Sequence, residues 1–164
     1  MTVATADLHK AINTAWDASG LNALFQAYWT AAEMARFVVL NDQEAAAGQP
    51  YPYCVVGQSS SVNISRMSGG VNTLRVVRDV TLRFDIYAGQ ETGKTAKEVA
   101  AELGEELIKV FGGHPTVAAT GAIILTNGKH LITQYQNDFG IRIDDNEYQW
   151  VVEYLFRIDV PVAV

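Results

Sequence analysis

Val80-Thr81-Leu82-Arg83-Phe84-Asp85-Ile86 alternates strictly: Val80, Leu82, Phe84 and Ile86 point one way, Thr81, Arg83 and Asp85 the other. A period of two is the signature of a strand with one face in a core and one in water. A few residues later the period changes. Thr95 and Glu98 stand at capping-box spacing, and Ala96, Val99, Ala100, Leu103, Leu107, Ile108 and Phe111 then form one helical stripe that Gly112 and Gly113 end. The stripe must hide somewhere, and the apolar face of the preceding strand is the nearest partner. Strand and helix together predict a sheet with a helix laid on its dry side.

Working outward, residues 6–18 place Leu8, Ala11, Ile12, Ala15 and Trp16 at helical spacing, with Thr5 or Asp7 available as a cap. Gly20 punctuates that helix. Leu21, Leu24, Phe25, Tyr28 and Trp29 continue the stripe as a second helix or an irregular aromatic segment. Residues 37–40 read as a short strand, and Pro50 and Pro52 mark a loop. Residues 54–56 and 62–66 read as two strands separated by the serines 59–61, and the stretch 58–72 as a flexible loop region.

Downstream of the long helix, residues 122–125 and 131–137 read as strands joined through the turn signal Asn127-Gly128. In the last strand, 148–160, Trp150, Val152, Tyr154, Phe156, Ile158 and Val160 share one face, which places it centrally in the sheet. Helices gathered on one face of a mainly antiparallel sheet give an α+β architecture. With 164 residues, 49% hydrophobic and 18% charged, residues 1–164 form one domain.

A net charge of −6 and a pI near 4.9, with twelve basic residues scattered along the chain, argue against a nucleic-acid-binding footprint. Cys54 is the only cysteine, so there is no intrachain disulfide and no cysteine pair for zinc. Neither a secretory signal nor an apolar run of ~20 residues is visible, which points to the cytoplasm as the place of synthesis.

Few residues stand at spacings that chemistry requires. Gly89-Gln90-Glu91-Thr92-Gly93-Lys94-Thr95 lies where a phosphate-binding loop would, but Ala88 stands where the motif needs its first glycine. Thr95 is better used as a helix cap. His9, His114 and His130 have no metal-ligand spacing, and Asp144, Asp145 and Glu147 lack the ligand alternation of a calcium loop. Gly57-Gln58-Ser59-Ser60-Ser61 is no nucleophile elbow, and Cys54 sits in an apolar strand as a small hydrophobe. No catalytic residue, cofactor or metal is expected.

The order of signatures resembles the tail terminator (tail completion) proteins of long-tailed bacteriophages. It is carried by the first helix ending near Gly20-Leu21, the stretch Pro50-Tyr51-Pro52-Tyr53-Cys54-Val55-Val56, the strand Val80 to Tyr87, the helix Ala96 to Phe111 and the closing strand Tyr154-Leu155-Phe156-Arg157-Ile158. These are apolar patterns covering most of the chain, and neck and head-to-tail joining proteins share them. The resemblance implies a non-enzymatic virion protein, assembled in the host cytoplasm. It would be one subunit of a six-membered ring that caps the tail tube, ends its polymerisation and meets the head-tail connector or stopper, with DNA passing through the lumen. Closed heterologous contacts between identical copies generate such a ring. Interface candidates are Arg66, Met67 and Arg75 around the loop region and Glu102, Glu105 and Lys109 on the polar face of the long helix. Two readings compete: another neck or head-completion protein, and a small ligand-binding or enzymatic domain, such as a nucleotide binder using Gly93-Lys94-Thr95.

Overall fold

The computed structural model describes residues 3–70, 73–116 and 119–163. Three helices come first, α1 (Val3–Ala18), α2 (Leu21–Gln26) and α3 (Ala31–Arg36). Strands β1 (Leu40–Asp42), β2 (Tyr53–Gly70) and β3 (Thr73–Gly89) follow, then α4 (Ala96–Phe111), β4 (Lys129–Arg142) and β5 (Glu147–Ala163). The five strands make one sheet in the order β1-β2-β3-β5-β4, antiparallel throughout except for β1, which pairs parallel to β2. The expected α+β fold is what the chain adopts, and β5 lies inside the sheet as its long amphipathic pattern requires.

One face of the sheet is covered. Cys54, Val56, Leu82, Phe84, Ile86, Val152, Tyr154, Phe156 and Ile158 are all buried there. α1 brings Trp16 to 6.5 Å from Phe84, stacked, and α4 brings Phe111 to 5.3 Å from the same ring. Aromatic rings at these spacings add to burial by dispersion and by quadrupole geometry. Tyr154 keeps its hydroxyl in this core by donating to the Gly112 carbonyl at 2.8 Å, and burial pushes that phenol well above its usual pKa. α4 lies close because Gly104 has no side chain: a Cβ there would stand 2.6 Å from Trp150 Cδ1.

The capping box at Thr95 and Glu98 forms as the sequence dictates, with the Thr95 hydroxyl accepting from the Glu98 amide and the Glu98 carboxylate accepting from the Thr95 amide. A second box, Thr30 with Glu33, opens α3, a helix not anticipated from its apolar pattern because none of its residues is buried.

Several local expectations differ from the structure. The stretch 58–72 is not a loop: β2 runs unbroken through residue 70 and bends at register shifts between Gln58 and Ser60, Asn63 and Ser65, and Ser68 and Gly70, while Val71 and Asn72 lie outside the described residues. Serines and glycines there pair with β3 along one side, so weak strand propensity is overridden by pairing. Residues 122–125 form no strand, and the short strand near 37–40 is shifted to Leu40–Asp42. Asp7 stands inside α1, which begins before it. Its carboxylate lies within α1 and accepts from the backbone amides of Thr126 and Asn127, pinning the segment before β4 from 119 residues away.

Candidate assembly surface

Among the described residues, the ring contacts that α1 and α4 make with the sheet fall on the covered face, and on the opposite face Val151 is nonetheless buried. The transverse rows of that opposite face follow from strand register. Phe139, Val151, Asp85 and Val55 form one row, and Ile132, Arg157, Asp79 and Val62 form another. The face is chemically mixed. Arg83 donates to Asp85 at 2.7 Å, Arg157 to both oxygens of Asp79 at 2.8 and 3.0 Å, and Arg75 to both oxygens of Asp159 at 2.7 to 3.1 Å. All three guanidinium groups therefore have a carboxylate neighbour, and these hydrogen bonds raise the arginine pKa values further. At one end Tyr51, Tyr53 and Tyr87 stack in a ladder at 5.5 and 5.0 Å, and burial together with Glu147 pushes the Tyr51 phenol up to about 12.

Apolar side chains stand exposed at the two margins of this face. Val62 on β2 is 58% exposed, and Phe139 and Ile141 on β4 are exposed too; Ile64, at a register shift of β2, and Ile143, just beyond β4, are further exposed apolar residues. The expected strand 131–137 stops short of Phe139, Ile141 and Ile143, whereas β4 runs to Arg142. Their i, i+2 spacing is the signal that could have extended it.

The six interface candidates do not gather into one patch. Arg66 and Met67 lie on β2 opposite Val76 and Arg75, with their side chains outside the described residues. Arg75 is engaged by Asp159 on the helix-free face. Glu102, Glu105 and Lys109 are exposed on α4, which packs on the other face, and there Lys94 bonds Glu102 and Lys109 bonds Glu106, each at 2.6 Å.

Residues 91–94 close on themselves through reciprocal backbone hydrogen bonds between Glu91 and Lys94, with Gly93 at φ 81°, and make a tight turn. Cys54 is fully buried and its thiol pKa is raised by that burial, as for a small hydrophobe. His9 is buried beside Asp42 at 3.9 Å, His114 packs edge-on to Tyr135, and His130 contacts Thr133. Among the described residues no three metal-ligating side chains converge, and no helix is long and apolar enough to cross a membrane. A cleft of about 600 Å³ between the ends of α1 and α4 is lined mainly by small and aliphatic residues, with Glu106 and Lys109 at its margin.

No protein-family model matches the sequence, and no curated protein matches it. Among solved structures, a chain described as "Virion of native gene transfer agent (GTA) particle" is similar at 15% identity with a TM-score of 0.56. The likeness covers 97% of this chain and 99% of that one, so the two share a fold from end to end.

Proposed function

We propose that the protein is a virion structural component and not an enzyme. More narrowly, it is one subunit of a hexameric ring that caps the tail tube, ends its polymerisation and joins the tail to the connector or stopper of the head. The observation that carries this reading is the end-to-end fold shared with a chain of a virion particle, covering 97% of one and 99% of the other. It agrees with the order of sequence signatures that resembles tail terminators. The helix-free face adds support. A surface whose arginines are each held by an aspartate offers few free cations to phosphates, which suits a passage that DNA must cross without sticking.

Native mass spectrometry across a concentration series, with negative-stain images of the same sample, tests the reading. Six-membered rings with a central hole, or binding confined to the ends of purified tail tubes, are expected. Monomers at every concentration that also ignore tube ends would overturn it. Binding to the head connector without tube binding would move the assignment to another neck or head-completion protein. The nucleotide-binding alternative predicts a rise in melting temperature with ATP and magnesium, because ligand bound to the native state stabilises it by mass action. No rise is expected, given the closed turn at Glu91 to Lys94.

A further inference from the structure

We propose that the outer edge of β4 over residues 137–142 receives β2 of a second copy of this chain, over residues 58–64, as an antiparallel strand. The inference deepens the ring reading above and rests on it.

Strand direction comes first. β2 and β5 run one way and β3 and β4 the other, so a copy placed head to tail beside β4 presents a β2 of opposite direction. Strand polarity therefore lets an antiparallel ladder continue across the boundary, with Ser60 to Asn63 in regular register between the shifts at Gln58/Ser60 and Asn63/Ser65. A two-fold pairing of β4 with β4 would also be antiparallel but would leave every β2 edge open. The head-to-tail contact closes both edges in one step, and a long unpaired edge is a liability that proteins remove.

The chain's own contacts close part of each edge. β1 occupies the edge of β2 only at Cys54, Val55 and Val56, leaving β2 uncovered beyond them among the described residues. On β4 the Tyr135 amide donates to the Gly113 carbonyl, so the segment after α4 closes the edge there. Gly113 can do so because it adopts φ 67° and lacks a Cβ, which would stand 2.7 Å from the Thr133 carbonyl oxygen. Beyond it, Asn137 to Arg142 pair with β5 in unbroken register. Phe139 and Ile141 on this window and Val62 on the other point to the same helix-free face, all exposed. Residues 58–64 carry no charge that would oppose pairing.

The two windows lie at different heights. The row through Val62 meets β4 at Ile132, about seven positions before Phe139. Each copy is therefore staggered along the strand direction relative to the last, and a stagger is what a sheet requires to close on itself. Facing apolar pairs such as Val62 with Phe139 or Ile141 are the unit of stabilisation across such a boundary.

Cysteine pairs and a short bis-maleimide test the arrangement, because native Cys54 is fully buried and gives no background. Val62→Cys combined with Phe139→Cys or Ile141→Cys should yield a covalent ladder up to the full ring, and neither single variant should. Ile141→Lys should abolish the ring while leaving the monomer's circular dichroism spectrum unchanged and its melt equal to that of wild-type protein diluted below assembly, and adding Val62→Glu should restore the ring. Rings that cross-link only through Val62→Cys with Ile132→Cys, or through one cysteine alone, would overturn the staggered head-to-tail pairing. So would rings that persist in Ile141→Lys without cross-linking, while the ring reading itself would stand. Absence of rings in the wild-type protein, alone and with tail tubes, would remove both.

Discussion

Phe84 and Asp85 are neighbours in β3, yet Phe84 is fully buried between α1 and α4 while Asp85 lies on the helix-free face, where it accepts from Arg83 and Gln149. The two faces share one backbone and divide the work. On the covered face, burial of about 25 cal/mol per Å² of apolar surface dominates and specifies the fold. On the other face, ion pairs with partly exposed side chains contribute little to stability. Neutralised charge and exposed apolar margins make that face suited to contact with other molecules.

Mutations on the two faces should separate stability from assembly. Phe84→Ala should have the largest effect, lowering unfolding free energy by about 3–5 kcal/mol in chemical denaturation, because Trp16, Phe111 and Tyr154 all pack on that ring. Gly104→Ala should cost about 1–3 kcal/mol through overpacking against Trp150, although alanine is the better helix former. A stabilised Gly104→Ala protein would show that α4 can move away from the sheet. Thr95→Ala should cost about 1 kcal/mol by removing the helix cap, read from the same denaturation curves.

A pH effect also belongs to the covered side. Burial lowers the pKa of His9, opposed in part by Asp42, so the folded state binds its proton less readily than the unfolded chain. Stability from this group is present above the unfolded value of 6.5 and is lost as pH falls below it. The urea midpoint should therefore drop between about pH 7.5 and pH 5.5, and His9→Gln should reduce that drop. On the helix-free face, Arg83→Gln should change stability by less than about 1 kcal/mol, an effect that shrinks further in high salt. If it proved as damaging as Gly104→Ala, the division between the faces would fail.

Helix α4, strands β3 and β5 and the one-sided burial were legible because each pattern is local and repeats over many residues. The boundary errors have one common cause. Ser59, Ser60 and Ser61 look like loop residues, and Ala122, Ile123 and Ile124 look like strand, but whether a segment is strand depends on a neighbour that pairs with it. β2 has β3 beside it through Gly70, and 122–125 have no such partner among the described residues. The helix α3 was missed for a related reason: its Thr30 and Glu33 capping box is visible in the sequence, but it has no buried stripe to draw attention to it.

The candidate surface was the least legible part. Arg66 and Met67 read as loop residues and Arg75 as an interface candidate beyond them, and Arg75 is held by Asp159, 84 residues away. Phe139 and Ile141 stand out only once β4 is known to be an edge. Which side chains seek a core and where α4 begins and ends follow from the order of residues alone, because periodicity and capping act over a few residues. Which strands are edges, which carboxylate meets which arginine and which apolar residues stay exposed emerge on folding, because those depend on contacts between segments far apart in the chain.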